Sequence, residues 1–161
     1  MRARLAASAA LVALLAIGTT GCTFITDQAT TTKYDPSDGI SATIGDIQLE
    51  NTALVTADGT TASLLINIVN HSAYGVDVNV QYENADKTKV NDSVFVNGNS
   101  VKSLGGQDAG KLVLSGIDAP AGSLFPVFFQ YGDVTGKQMW LPVLAPNGEY
   151  ASLAPESTPA P

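Results

Sequence analysis

Few residues in this chain of 161 residues have side chains able to do chemistry. The chain contains one histidine, His71, and one cysteine, Cys22. A Ser-His-Asp triad requires a histidine held between a nucleophile and an orienting carboxylate. Ser72 follows His71, but neighbours along the chain do not supply that geometry, and no G-x-S-x-G turn is present. We therefore interpret His71 as a turn residue and predict that the protein has no catalytic residue and is not an enzyme.

Metal binding is the second chemistry to weigh. Tight Cu(I) sites draw on several thiolate, thioether or imidazole ligands. Besides Cys22, the candidates after the first 21 residues are His71 and Met139, and both are weak because each stands alone in the sequence. Nothing resembles a phosphate-binding loop or a dinucleotide fingerprint. The sequence therefore predicts no metal and no other cofactor.

The first 22 residues have the order of a bacterial export signal. A positively charged start precedes an uncharged apolar run at residues 5–17, and Thr20 and Gly21 lead into Cys22. The apolar run is shorter than the roughly 20 residues of a membrane-spanning helix. The ending resembles a lipobox, at which a cysteine is lipidated and the chain is cut before it, although Thr19 stands where that motif usually has leucine.

This motif predicts where the protein is found. Residues 1–21 are expected to be a lipoprotein signal peptide, and Cys22 is expected to become a lipidated N-terminus carrying palmitate. Mature bacterial lipoproteins carry two or three acyl chains, and more than one chain is needed for firm anchoring. We expect the protein on the outer face of the cytoplasmic membrane, attached through Cys22. The alternative, a buried or disulfide-bonded Cys22, is disfavoured because the chain has no second cysteine and the flanking residues are small and polar.

Composition narrows the choice of partners. The full chain has a net charge of −7, and removal of the signal peptide leaves six Lys and Arg against 15 Asp and Glu, a net charge of −9. An acidic domain without a basic patch excludes nucleic acid as a partner. Anionic headgroups also repel it, so the predicted membrane contact is the lipid itself. Scarce lysine with abundant Ala, Gly, Val and Thr is typical of a high-GC genome, such as an actinobacterium.

The elements that position these residues are predicted to be strands. Residues 76–83 alternate apolar and polar side chains, and residues 63–70 form a near-continuous apolar run typical of a central strand. Seven to eight such segments, separated by turns, predict an all-β domain at residues 43–153, an antiparallel β-sandwich of immunoglobulin or cupredoxin type. Residues 22–42 are expected to be a flexible tether, and residues 154–161 a disordered tail.

Three details of the sandwich follow from local signals. Pro126 lies within an apolar segment, which predicts an edge strand or a bulge there. The Asn97-Gly98 pair favours a hairpin, so residues 101–104 are expected to pair back on residues 94–96. The apolar positions of the predicted strands form the candidate core: Leu64, Ile66, Ile68, Val76, Val78, Val80, Leu112, Leu114, Phe128 and Trp140.

Aromatic side chains are the remaining candidates for a binding surface. Tyr74, Tyr82, Phe125 and Tyr131 would form an exposed patch if they pointed to solvent. Packing in the core or along an edge strand is the simpler interpretation, and we favour it.

The chain resembles a known family along most of the mature domain. The ending Thr20-Gly21-Cys22, the segment IGDIQL at residues 44–49, and the strand LLINIVN at residues 64–70 with a serine-containing turn carry this resemblance. They are similar to actinobacterial LpqE-like lipoproteins, which are distantly related to the secreted PCu(A)C copper-chaperone domain. The resemblance implies a β-sandwich. The chaperone's spaced set of His and Met ligands is missing from this sequence, so its copper function is not carried over.

Two functions from different classes remain open. The first is a non-enzymatic cell-surface lipoprotein that acts as a binding or accessory module in the bacterial envelope, with an envelope protein or a glycolipid as its partner. The second is a degenerate metal-carrier domain of PCu(A)C type. Metal titration separates them, because only the second function requires a bound ion.

Overall fold

The described part of the chain folds into nine β-strands. The computed structural model describes residues 37–107 and 109–155, which belong to one unit, Asp35–Pro161. The predicted signal peptide, Cys22, most of the predicted tether and the last six residues lie outside the described residues. The strands are β1 (Ile40–Ile44), β2 (Ile47–Val55), β3 (Thr61–Asn70), β4 (Val76–Glu83), β5 (Lys89–Val96), β6 (Ser100–Leu104), β7 (Val113–Ser115), β8 (Leu124–Tyr131) and β9 (Lys137–Leu144).

The predicted all-β, sandwich-like fold is confirmed, although the sheet has nine strands instead of seven to eight and includes one parallel pair. Within residues 37–107 and 109–155, the one helical element is a single 3-10 turn, Gly148–Tyr150. The strand order is β5-β4-β8-β9-β2-β3-β6, and the sheet curls into a half-barrel. Strand β1 pairs with β2, and β7 pairs with β3. All ladders are antiparallel except that between β2 and β9, in which Leu54 pairs with Val143 in parallel.

Alternation along the strands builds the core between the two halves of the sheet. In β4, Val78, Val80 and Tyr82 are buried while Asp77 and Asn79 are exposed, as the period-two pattern predicts. Strand β3 lies between β2 and the pair β6 and β7, which confirms its predicted central place. Burying each large apolar side chain contributes about 1.5–3 kcal/mol to folding.

Two of the ten predicted core residues lie elsewhere. Trp140 is 55% exposed, and Phe128 is half-buried on the outer surface of the sheet. In β8 and β9 the inward positions belong to Val127, Phe129, Met139 and Leu141. Because successive strand residues point to opposite faces, the residues between them must point outward. Both strands are apolar on both faces, so hydrophobicity alone did not reveal which face packs inward.

The prediction of an edge strand or bulge at Pro126 is wrong. Strand β8 lies in the middle of the sheet, between β4 and β9. Its ladder with β4 ends at the pair Gln81–Phe128, whereas Pro126 pairs with Trp140 of β9. Proline lacks the N–H that a second ladder would use, and it is tolerated here because β8 has a strand partner on one side only at this point.

The predicted hairpin across Asn97 and Gly98 does not form. The turn joins β5 to β6, but β5 pairs with β4 and β6 pairs with β3. The turn therefore carries the chain from one half of the sheet to the other. An Asn-Gly signal reports a tight turn, but it does not decide whether the flanking strands pair with each other.

The folded domain begins three residues before the predicted boundary at residue 43. Ile40 pairs with Thr52, and Ile44 at the other end of β1 is buried in the core. The start of β1 therefore falls inside the segment expected to be a tether. Ile40 sits next to Gly39, whose backbone lies against Asn51, so a side chain at that position would collide with β2.

The turn between β2 and β3 is held by Asp58. Its Oδ1 atom accepts hydrogen bonds from the backbone N–H groups of Thr60 and Thr61, at 2.8 and 2.9 Å. These bonds favour the ionised carboxylate and lower the pKa of Asp58 to about 2. The stabilisation is present above the ordinary pKa of 3.8 and is lost as the pH falls towards 2.

Candidate functional site

The structure separates the two weak metal-ligand candidates. His71 is exposed in the turn after β3, where its backbone N–H donates to the carbonyl of Asp46 at 3.0 Å. Met139 is buried in the core on β9, opposite Val127 of β8. The part of the chain that the structure describes contains no group of three or more His, Cys, Asp or Glu side chains suited to a metal ion. The arrangement therefore brings together no ligand set around His71.

We expect no tight Cu(I) complex with this protein. A thioether buried in the core and an imidazole in an exposed turn cannot form one coordination shell, and Cu(I) requires several soft ligands. Titrating the full-length protein in detergent with Cu(I) against a competing chelator measures this. His71→Ala should leave the result unchanged. A one-to-one complex that survives nanomolar competition and is lost in His71→Ala would contradict the prediction and support the metal-carrier function.

Three of the four aromatic candidates are core residues, in line with the simpler interpretation. Tyr82, Phe125 and Tyr131 are buried, and the rings of Tyr82 and Phe125 lie 6.2 Å apart. The Tyr82 hydroxyl accepts a hydrogen bond from the Ser115 N–H at 2.9 Å. The fourth candidate, Tyr74, is 80% exposed in the turn between β3 and β4.

An apolar surface lies instead on the outer face of β8 and β9. The register places Leu124 opposite Pro142 and Pro126 opposite Trp140, with Phe128 next along β8. These five side chains share the outer face because strand residues alternate. We call them the docking face. Leu124 is 61% and Trp140 55% exposed, so large apolar side chains contact solvent at its centre and at its end.

Polar side chains from β4, β5 and β9 border the docking face next to Phe128. Gln81, Glu83, Lys89 and Gln138 line a shallow cavity of about 420 Å³, whose apolar wall includes Phe128. The border thus offers amide, carboxylate and ammonium groups beside an apolar surface. This arrangement of an apolar centre and a polar rim is typical of protein interfaces.

The amide orientation on this border is fixed by the sheet. Gln81 Nε2 donates to Asn91 Oδ1 of the neighbouring strand at 2.6 Å. Gln81 and Asn91 are directly opposite in the ladder between β4 and β5, so the bond needs no distortion of either backbone.

Sequence reasoning missed the docking face because it placed Trp140 and Phe128 in the core. The sequence carried part of the signal: Met139 and Leu141 flank Trp140, so only one of the two sets can point inward. Two prolines, Pro126 and Pro142, also stand on the same face as Trp140. Both sets are apolar, however, so the pattern alone did not assign the faces.

Two further observations bear on what the chain is. The described ranges, residues 37–107 and 109–155, contain no helix that is long and apolar enough to cross a membrane. Comparison of the whole chain with protein-family models and with curated proteins finds no match.

Proposed function

We propose that this protein is a non-enzymatic lipoprotein of the bacterial envelope that binds a partner protein through the docking face. The observation that carries the proposal is the outward position of Trp140, with Pro126 directly opposite it on the outer surface of the sheet. Monomeric proteins seldom leave large apolar patches in water, and those they do leave mark interaction sites.

The composition of the docking face favours a protein partner. Binding energy at protein interfaces concentrates in a few residues, and Trp is among the most enriched of them. Trp140 has an apolar neighbour, Pro126, directly across the strand pair, and the polar border of Gln81 and Gln138 lies beside it. A partner that covered the face would exclude water from Trp140 while the rim amides supplied hydrogen bonds.

Anchoring through Cys22 supports this function by concentrating the domain at the membrane. A tethered domain meets a membrane partner at a high effective concentration, so an interface of modest affinity is sufficient. The negative charge of the chain opposes direct contact with anionic lipid. The proposed membership of the LpqE-like lipoprotein group agrees with the same picture. For the degenerate metal carrier, nothing in the described residues adds support.

The test uses site-specific photocrosslinking in living cells of the bacterium that produces the protein. A photoreactive phenylalanine analogue replaces Leu124, which is exposed beside Trp140. We expect a discrete protein adduct, and we expect Trp140→Ala to reduce it strongly. Truncating a central interface Trp costs about 2 kcal/mol or more, which is roughly thirtyfold in affinity. The measurement is the yield of adduct after immunoblotting.

The control places the same analogue at Tyr74, which is exposed but lies in a loop away from β8 and β9. No adduct of the same mass should form there. Trp140→Ala should lower the free energy of unfolding by under about 1 kcal/mol, since the side chain is half exposed. Equal adducts at both positions, or an adduct that Trp140→Ala leaves unchanged, would contradict the proposal. An adduct of lipid mass would assign the face to a glycolipid instead.

A further inference from the structure

Strands β5 and β6 stand at the two ends of the strand order and form the walls of an open groove of about 490 Å³. Asp92 and Phe95 line one wall, Val101 and Lys102 line the other, and Lys111 lies beside β6. We call this cavity the seam groove. It occupies the place where the half-barrel does not close.

Both walls of the seam groove are free strand edges. Strand β5 has a ladder with β4 alone, and β6 has a ladder with β3 alone. One isolated bridge joins Leu104 to Gly110 at the end of β6. Among the described residues, the groove-side backbone of residues 89–95 and 100–103 therefore has no strand partner, although the Ser93 N–H donates to Asp92 Oδ1 at 2.8 Å. Such an edge is a template for one more strand.

Hydrogen bonds join the two halves of the sheet on either side of the open groove. At one end Asn70 Nδ2 donates to the carbonyls of Val96 and Asn97, at 3.3 and 3.1 Å. At the other end the Ala85 N–H donates to the Gly116 carbonyl at 2.8 Å. The β5 wall runs from Asp92 to Asn97, which at 3.3 Å per residue is about 17 Å of extended chain.

The floor of the groove is apolar. Val94, Leu104 and Leu112 are buried at its base. Asp92 lies two residues before Val94, and Lys102 two residues before Leu104, so both point to the same inner side as the floor. Both are nevertheless exposed, because no strand covers them. The groove thus combines an apolar base with charges at its opening.

Positive charge is concentrated at this groove in an otherwise acidic chain. Lys102 and Lys111 line it together, against the single carboxylate of Asp92. The one ion pair in the part of the chain that the structure describes joins Lys87 to Glu83, outside the groove. Within the residues that the structure describes, neither Lys102 nor Lys111 forms an ion pair with a carboxylate. Both ammonium groups are therefore available to an anionic ligand.

We propose that the seam groove binds an extended acidic peptide segment of a partner protein as an added β-strand. A free strand edge selects an extended backbone, whose N–H and C=O groups complete the ladder. The apolar floor selects side chains such as Val or Ile on one face of that strand. Lys102 and Lys111 select carboxylates, which places Glu or Asp near the β6 wall.

An alternative role for the charges of Asp92 and Lys102 is to prevent β5 and β6 from pairing with another copy of this chain. Charged residues pointing inward on edge strands are a common defence against edge-to-edge association. Asp92 and Lys102 discourage a neutral apolar strand, but they do not discourage a strand that carries carboxylates opposite lysine. The two roles make different predictions about which peptides bind.

The test uses the full-length protein in detergent and an array of random eight-residue peptides. We expect bound peptides to be rich in Glu and Asp and poor in Pro, Lys and Arg, since proline removes the N–H that the ladder needs. Lys102→Glu combined with Lys111→Glu should weaken the best peptide by about tenfold or more. Lys87→Glu with Lys137→Glu makes the same change in net charge outside the groove, and it should change affinity by less than about twofold.

Hydrogen exchange separates strand addition from simple charge attraction. With the best peptide bound, amides in β5 and β6 should exchange more slowly, and Trp140→Ala should leave the affinity unchanged because the docking face is elsewhere. Equal loss in both lysine double variants, or equal binding of proline-substituted peptides, would overturn the proposal. An array without acidic binders, or self-association of the protein through β5, would overturn it as well.

Discussion

Replacing Cys22 by Ser should abolish lipidation and leave the signal peptide uncut, so the protein should have the mass of the unlipidated precursor, with residues 5–17 as its remaining apolar membrane contact. Without the thiol no acyl chain can be attached, and each buried CH₂ of such a chain contributes about 0.8 kcal/mol to membrane binding. The acidic domain has no electrostatic attraction to anionic lipid that could replace the anchor. Cell fractionation gives the location, and intact-protein mass spectrometry gives the lipid and the cleavage site.

A matched change in the same motif serves as the control. Thr19→Leu brings the sequence nearer to the usual lipobox, so processing should be retained or become more complete. If Cys22→Ser stays bound to the membrane with unchanged mass, the anchor is something other than lipid on this cysteine.

Asn70→Ala should destabilise the folded domain far more than removal of an exposed polar side chain from the same strand. Asn70 is buried at the end of β3, and its amide joins the turn after β3 to the turn after β5. Its Nδ2 donates to the carbonyls of Tyr74, Val96 and Asn97, and its Oδ1 accepts from the N–H and hydroxyl of Ser72. Alanine would remove all five hydrogen bonds, including the buried one to the Val96 carbonyl, at about 3 kcal/mol in total.

The measurement is thermal and urea unfolding of the variant against the parent protein. A loss of about 3 kcal/mol lowers the melting temperature by roughly 10 °C in a domain of this size. Asn67→Ala is the matched control on the same strand. Its Oδ1 accepts one exposed hydrogen bond from the Ser103 hydroxyl, so its loss should cost under about 1 kcal/mol. Equal effects of the two substitutions would mean that the buried amide of Asn70 is not the main contact between these turns.

Asn70 should affect both the stability of the domain and the width of the seam groove. Its bonds to Val96 and Asn97 hold one end of β5 beside β3, so their loss should loosen the β5 wall. A variant that remains folded at low temperature should then bind extended acidic peptides more weakly. The effect would come from the width of the groove and not from its charge, because no lysine is altered.

Much of the fold was predictable because its strands alternate clearly. In β4, apolar Val78 and Val80 alternate with polar Asp77 and Asn79. Only one orientation of the strand buries the valines and exposes the polar side chains, and it is the one observed. The apolar run of β3 likewise predicted a central strand, and β3 has neighbours on both sides. The turn at Asp58 and Gly59 is of the same local kind, because the Asp58 carboxylate accepts hydrogen bonds from the next backbone N–H groups.

The candidate site was not predictable to the same degree. Trp140 and Phe128 are as apolar as their neighbours Met139 and Phe129, so no local pattern states which pair packs inward. The Asn-Gly turn at Asn97 and Gly98 predicted a hairpin, yet β5 and β6 pair with other strands. In both cases the local sequence is compatible with two structures. Either face of β8 and β9 can pack inward, and a tight turn can join strands that pair with each other or with other strands.

The sequence by itself determined the alternation that makes the domain all-β. Its motif ending at Cys22 also predicts export and lipidation. Tertiary structure alone decided that Trp140 faces solvent and that Asp92 and Lys102 line opposite walls of an open groove. The physical reason is that alternation defines two faces for each strand but does not say which face another strand covers. That depends on contacts between residues far apart in the chain, such as Asn70 with Val96 or Leu54 with Val143.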